Sequence, residues 1–154
     1  MPEQVTIKKM TKNDIKGVYD VELQCFGEST SPIGWFADVV NDENSHYYIA
    51  YLENKLIGYA GMHVNFHPEK RYCKIAYLAV NKEYRNRGIG RLLIEKLLHI
   101  AKALHISDIK LEVETDNIPA VHLYESFGFK VTEVLQNYYT ETNEDAYEMW
   151  LHGE

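Results

Sequence analysis

The sequence predicts an α/β (α+β) fold: a single domain with a mixed central sheet of about seven strands flanked by about four helices, in the order β-α-α-β-β-β-α-β-α-β-β. Three observations support this. Residues 73–104 read as an apolar strand, a basic turn with two glycines and a long amphipathic helix that holds neither Gly nor Pro beyond the turn. Strand-length apolar runs are interleaved with segments of helical spacing along the chain. No internal repeat, low-complexity tract or linker interrupts the 154 residues, a length suited to one domain.

In chain order, residues 5–9 alternate and predict the first strand. Thr11 is placed to cap a helix, with Asp14 three residues on in capping-box position in place of the usual Glu or Gln. Ile15, Val18, Tyr19, Leu23 and Phe26 keep helical spacing and predict the apolar face of that helix. Residues 27–30 break it. Ser31 and Pro32 then supply an N-cap and a first-turn proline for a second helix ending near Asn41. A strand over residues 46–52, a hairpin turn at Glu53-Asn54-Lys55 and a third strand from Leu56 to about Asn65 follow, with Gly58 and Gly61 inside the third strand. Pro68-Glu69 predicts a turn and residues 71–80 the fourth strand. After the glycine turn come a helix over 91–104 and a strand over 109–113. Asn117 caps a helix over 118–126 that stops at Gly128. Residues 129–138 predict a sixth strand, 140–144 a polar loop and 146–151 the last strand.

Composition narrows the function. Apolar residues make up 45% of the chain, enough for a core, and charged residues 25%. A net charge of −7 and a pI near 5.5 argue against general nucleic-acid binding, which needs a basic face. No nucleic-acid partner is expected. No apolar run approaches the ~20 residues of a membrane span and no apolar targeting segment opens the chain, so no membrane partner is expected and the expected location is cytoplasmic. Cys25 and Cys73 are expected to be reduced structural thiols in apolar surroundings. No metal is expected: His63 and His67 share a strand face but lie ~13 Å apart along it. Charge is uneven. Residues 78–110 hold seven Lys/Arg against three Asp/Glu, whereas 111–154 hold one Lys against ten Asp/Glu. Such tracts suit ligand ends of opposite sign. Oligomeric state is not readable from the sequence.

The turn reads Arg85-Asn86-Arg87-Gly88-Ile89-Gly90, followed by Arg91. Helix N-terminal N–H groups, the helix dipole and glycines that admit close approach suit a phosphate, and the arginines add cations. It is not a Walker loop, since no Gly-Lys-Ser/Thr follows, and it is a poor dinucleotide fingerprint, since Leu93 stands where the third glycine belongs. Arg85-x-x-Gly88-x-Gly90 after Leu78-Ala79-Val80 matches the acetyl-CoA signature Gln/Arg-x-x-Gly-x-Gly/Ala, and the chain resembles the GNAT superfamily of acetyltransferases. Downstream, Leu111-Glu112-Val113, Asn117, the run LYESFGF at 123–129, Asn137-Tyr138-Tyr139 and Asp145-Ala146 resemble the RimI-type protein N-terminal acetyltransferases. That likeness spans roughly residues 75–150.

The resemblance implies one GNAT domain over residues 1–154, with acetyl-CoA as co-substrate. It implies that backbone groups of Leu78, Ala79 and Val80 line up with the pantetheine arm. Asn86, Arg87, Gly88, Ile89, Gly90 and Arg91, with Arg85 beside them, would cradle the pyrophosphate, and Asn117 would touch the cofactor arm beyond it. Glu112 would be the general base, with Glu114 as the alternative, and Tyr124 the general acid. The acceptor-shaping loops of such enzymes fall at about residues 26–35 and 138–145, which nominates Phe26, Glu28, Tyr138 and Tyr139. Where the family often carries an aromatic-Pro motif, this chain has Phe26-Gly27-Glu28-Ser29-Thr30-Ser31-Pro32.

The chemistry asks for these residue types. Acetyl transfer needs a neutral amine, a polarised thioester carbonyl and a proton for the leaving thiolate. An amine with a pKa of ~8–10 must first lose a proton, which a carboxylate can take. Glu112 lies between Leu111 and Val113 and faces away from both, with Glu114 on its side. Alone, such a glutamate is more often an ion-pair partner, and a helical tyrosine beside Val121 and Phe127 a core aromatic. The cofactor signature and the twelve-residue step from Glu112 to Tyr124 are what nominate the pair. Tyr138 and Tyr139, adjacent in a strand, are expected on opposite faces, so at most one is expected to line the site. Three functions follow: a protein Nα-acetyltransferase working by direct attack in a ternary complex, a small-amine or polyamine acetyltransferase, and a non-catalytic acyl-CoA-binding sensor. Intact Glu112 and Tyr124 count against the sensor.

Overall fold

In the computed structural model, the structure describes residues 4–27, 33–67, 70–139 and 144–153. Among them, seven strands form one mixed sheet: β1 (Val5–Lys9), β2 (Ser45–Leu52), β3 (Lys55–His67), β4 (Lys70–Val80), β5 (Asp108–Glu114), β6 (Lys130–Tyr139) and β7 (Glu144–His152), in the order β1-β2-β3-β4-β5-β7-β6. Four helices, α1 (Ile15–Phe26), α2 (Ile33–Asn41), α3 (Ile89–Ala103) and α4 (Ile118–Ser126), complete the predicted order. Ser31 and Pro32, the turn at Pro68-Glu69 and residues 140–143 of the expected polar loop lie outside the described residues. The chain groups into two compact units, Met1–His63 with Tyr77–Ile100 and Val64–Ala76 with Ala101–Glu154.

In the first unit, β1 and β2 pair antiparallel from Val5–Leu52 to Lys9–Tyr48, and β2 pairs antiparallel with β3. The two-residue turn between β2 and β3 holds Glu53 at φ +56, the left-handed conformation tight hairpins favour. The capping box at Thr11 forms one turn ahead of α1, on a short 3-10 helix at Lys12–Asp14. Asp14 accepts from the Thr11 amide at 2.8 Å, the Thr11 hydroxyl at 3.0 Å and the Tyr51 hydroxyl at 2.8 Å. Burial alone would raise the Asp14 pKa. The bonds from Thr11 and Tyr51, with the charge of Lys8, outweigh it and hold the carboxyl below its ordinary value.

The apolar face of α1 differs from the expected one. Leu23 and Phe26 are 42% and 46% exposed, while Val18, Val21 and Glu22 are buried. Residues 18, 21 and 22 share one helix face at i, i+3 and i+4. Glu22 is admitted to that face because the Tyr59 hydroxyl donates to its carboxylate. The core beneath holds Val18, Val21, Phe36, Tyr47, Ile49 and Tyr59. Trp35 caps it with ring centroids 5.2 Å from Phe36, 5.9 Å from Tyr47 and 5.0 Å from Tyr77. His63 spends both ring nitrogens inside the fold, at 2.9 Å from the Ser45 hydroxyl and 2.8 Å from the Tyr47 hydroxyl.

In the second unit, β5 pairs with β4 in parallel at Cys73–Ile109 and Lys74–Lys110, and antiparallel with β7 from Asp108–His152 to Glu114–Ala146. β6 lies beyond β7, with register irregularities between Val131 and Glu133 and between Leu135 and Tyr139. Ile109, Leu111 and Val113 of β5 are buried, as the alternation predicts. α4 is capped by Asn117, whose Oδ1 accepts from the Ala120 amide at 3.3 Å. It ends in a Schellman turn: Gly128, at φ +98, donates to the Glu125 carbonyl at 2.9 Å, and the Phe129 amide donates to the Tyr124 carbonyl at 3.2 Å. That closure seats Phe129 against Tyr124, ring centroids 5.9 Å apart. Cys73 is fully buried, and burial pushes its thiol up to about 11 against the pull of Arg71.

Candidate active site

The first unit carries the glycine turn. The Asn81 amide donates to the Ile57 carbonyl at 2.7 Å, and its side chain accepts from the Glu83 amide at 3.0 Å to start a short 3-10 turn. Asn86 at φ +65 and Gly88 at φ +79 then bend the chain into α3. The helix begins at Ile89, two residues before the expected start, because the Leu92 amide already reaches the Gly88 carbonyl at 3.1 Å. Gly90 and Arg91 therefore sit in the first helical turn, where backbone N–H groups have no intrahelical acceptor. Ile89 is buried and anchors the turn, while Asn86, Arg87, Gly88 and Arg91 are exposed. A Cβ built on Gly88 meets nothing within 4 Å, so the space above the turn is open to a ligand. An exposed turn of this shape at the N-terminus of a 15-residue helix fits an anionic group.

The arginines are not equivalent. Arg85 folds back, its Nε donating to the Val80 carbonyl at 3.1 Å and its Nη2 reaching Cys25 Sγ at 3.5 Å. The Arg87 guanidinium lies 5.1 Å from the centroid of the Tyr84 ring. Cys25 also donates to the Val80 carbonyl at 3.4 Å, so this thiol ties the end of α1 to the end of β4 and is not set in plainly apolar surroundings. Along that end of β4, Ala79 is buried and Leu78 and Val80 are half-buried. A Cβ at Gly58 would come within 2.9 Å of the Ala79 carbonyl, so the close approach of β3 to this stretch requires glycine. Phe26 stands exposed at the end of α1, and Glu28 lies outside the described residues.

The second unit carries the expected acid–base residues. Glu112 points away from Leu111 and Val113 with its side chain 8% exposed. Its Oε1 lies 3.1 Å from Lys74 Nζ and accepts from the Tyr138 hydroxyl at 3.2 Å. Its Oε2 is buried without a hydrogen-bond partner among the described residues. Across the ladder Glu112 is paired with Glu148 of β7, which is held by Lys110 Nζ at 3.6 Å, the Thr132 hydroxyl at 2.8 Å and Trp150 Nε1 at 3.1 Å. Two lysines thus interleave two glutamates on one face. Glu114, the alternative base, shares that face and is exposed. Tyr124 is buried; burial, and then the neighbouring Tyr139, raise its pKa, so the phenol stays protonated across the neutral range.

Tyr138 and Tyr139 do not alternate as a regular strand predicts. Their ring centroids lie only 5.0 Å apart, edge to face. Asn137 at φ +52 and the register break between Leu135 and Tyr139 cancel the alternation. Both phenols feel Glu112. Burial first, then Glu112, raises Tyr138 against the opposing charges of Lys74 and Lys110. Burial, Glu114, Tyr138 and Glu112 together push Tyr139 up to about 12. Asn117, nominated for the cofactor, commits its Oδ1 to capping α4. Sequence patterning does not single out Lys74 or Glu148. The signal for Lys74 is a cation set between Cys73 and Ile75, whereas Glu148 has no signal before the β5–β7 register is known.

A buried carboxylate with one oxygen held and the other unpartnered can accept a proton, and a buried protonated phenol can give one. Elsewhere in the chain, on the same α/β fold, the turn at a helix N-terminus is open to an anionic group. The chain belongs to the acetyltransferase (GNAT) family, whose model matches residues 15–129, and it is an N-acetyltransferase of the acyltransferase class. It is 34% identical over 149 residues to the N-alpha-acetyltransferase RimI of Mycobacterium tuberculosis, covering 96% of this chain and 92% of the relative. It is 29% identical over 167 residues to a streptothricin acetyltransferase of Escherichia coli, covering 99% and 94%. Among solved structures it is similar to the ribosomal-protein-S18-alanine N-acetyltransferase from Escherichia coli, with a TM-score of 0.83 at 26% identity over 98% of this chain and 95% of the other.

Proposed function

We propose that this chain is one N-acetyltransferase domain that uses acetyl-CoA to acetylate the α-amine of a protein N-terminus, a ribosomal protein by likeness to its relatives, through direct attack in a ternary complex. The observation that carries the reading is the buried, unpartnered Oε2 of Glu112. The acceptor class rests on the likeness to the RimI N-alpha-acetyltransferase over nearly the whole chain. The cytoplasm, where new N-termini emerge, is the compartment this activity needs.

Acetyl-CoA, when bound, supplies the acyl group and the thiolate leaving group. Asn86, Arg87, Gly88, Ile89, Gly90 and Arg91 offer backbone N–H groups and cations to its pyrophosphate, and Arg85 braces their loop from Val80. Leu78, Ala79 and Val80 offer strand backbone to the pantetheine arm, and Asn117 keeps its side-chain N–H groups for the arm beyond. Phe26, Glu28, Tyr138 and Tyr139 receive the acceptor. Glu112 takes one proton from the ammonium at Oε2, and burial makes it the better candidate than exposed Glu114. As the nitrogen forms its bond to carbon and the carbon–sulfur bond breaks, Tyr124 gives its proton to sulfur. The nitrogen's second proton leaves through solvent, from which Tyr124 is reprotonated and to which Glu112 returns the proton it took.

A panel assay tests this. The protein is incubated with acetyl-CoA and, in parallel, alanine-initiated ribosomal-protein peptides, spermidine and streptothricin, while free thiol is followed and products are sequenced by mass spectrometry. Acetylation at the peptide α-amine is expected, and Glu112→Gln should lower kcat about 100-fold or more. Turnover confined to streptothricin or spermidine would assign a small-amine transferase instead, a reading favoured by the streptothricin acetyltransferase relative. Binding of acetyl-CoA without turnover on the whole panel would leave a sensor.

A further inference from the structure

Glu112 is held by a residue outside the acid–base pair. Lys74 stands in β4 between Cys73 and Ile75, both buried. The parallel register Lys74–Lys110 brings it alongside β5 on the face that Glu112 occupies. Its Nζ lies 3.1 Å from Glu112 Oε1, and its side chain is 37% exposed. Tyr138 donates to the same oxygen at 3.2 Å. All the protein's hydrogen bonds to this carboxylate, among the described residues, therefore converge on Oε1, and Oε2 is left buried with none.

We propose that Lys74 is a positioning residue for the transfer: by holding Oε1 it fixes the carboxylate's rotation and commits Oε2 to the incoming amine. The inference rests on the reading of Glu112 as the base. A carboxylate has about four lone-pair sites, and with no second anchor it rotates about its terminal bond. Tyr138 alone is a weak anchor, since a neutral donor binds a carboxylate less strongly than a cation does.

The charges around Glu112 point the same way. Glu148 faces it from β7, neutralised by Lys110; Glu114 lies on its own strand; Tyr138 and Tyr139 approach from β6, and Tyr124 of α4 lies beyond Tyr139. Among these groups Lys74 is the cation in direct contact with the Glu112 carboxylate. Without Lys74, the aim of the carboxylate is lost.

The test compares Lys74→Met, Lys74→Gln, Lys74→Arg and Glu112→Gln by steady-state kinetics with acetyl-CoA and an alanine-initiated peptide. Lys74→Met is expected to lower kcat about tenfold and leave the KM for acetyl-CoA within about twofold. Lys74→Gln, which keeps a donor without the charge, should lower kcat likewise and serves if Lys74→Met does not fold. Lys74→Arg should restore the rate. If the uncharged variants fold, by thermal unfolding, and keep the unmodified protein's kcat, Lys74 has no positioning role, and the same holds if Lys74→Arg behaves like Lys74→Met. An inactive Glu112→Gln beside an unchanged Lys74→Met overturns the role of Lys74 alone. A fully active Glu112→Gln overturns the base reading and this inference with it.

Discussion

Tyr124 joins two duties in one side chain. Its ring packs on Phe129 and its carbonyl closes the Schellman turn, while its phenol is kept protonated by burial. Tyr124→Phe keeps the ring and removes only the hydroxyl, the proposed acid. It should therefore lower kcat by at least about tenfold with acetyl-CoA affinity within about twofold, checked by kinetics alongside calorimetric binding. A parallel loss of both would make Tyr124 structural. Asp14 allows a cleaner statement about stability. Its carboxyl is held below its ordinary value of 3.8 by Thr11 and Tyr51 against the effect of burial. A carboxylate whose folded pKa is depressed stabilises the fold above its unfolded pKa and loses that contribution as pH falls through the folded one. Asp14→Asn should thus cost about 1 kcal/mol near neutrality. In urea unfolding followed against pH, the gap to the unmodified protein should close below about pH 4.

At the level of elements, β3 shows how a glycine can serve packing. A Cβ at Gly61 would stand 2.2 Å from the Tyr47 ring, and that ring is pinned by His63 at its hydroxyl and by a T-shaped contact with Trp35. Gly61→Ala therefore forces apart a filled core, at a cost of about 1–3 kcal/mol in equilibrium unfolding. The glycine turn uses glycine differently. Gly88 supplies a positive φ with open space around it, which leaves backbone available to a ligand. β6 supplies a third device, a register break that turns Tyr138 and Tyr139 to one side and brings both under the influence of Glu112.

Over the whole molecule, the chain is acidic, with ten Asp/Glu against one Lys from residue 111 onward. The structure uses part of that charge as the Glu112–Glu148 pair, compensated by Lys74 and Lys110. The strands and helices were legible because burial imposes periods of two and 3.6 residues, and the limits of β1 and α4 match the expected ones. The glycine turn and the caps at Thr11 and Asn117 were legible because each is built from residues within a few positions of one another. The buried face of α1 was not, because Glu22 goes inside only where Tyr59, 37 residues on, donates to it. Nor was the support of Glu112, because strand register alone brings Lys74, Tyr138 and Glu148 to it from three other strands. By itself, then, the sequence determined the order of elements and the turn suited to an anion, both carried by local periodicity and spacing, while the acid–base candidates came from the resemblance to a known family. Only the tertiary structure decided which oxygen of Glu112 is held and which is left open, since that depends on donors that meet the carboxylate through pairing between strands far apart in the chain.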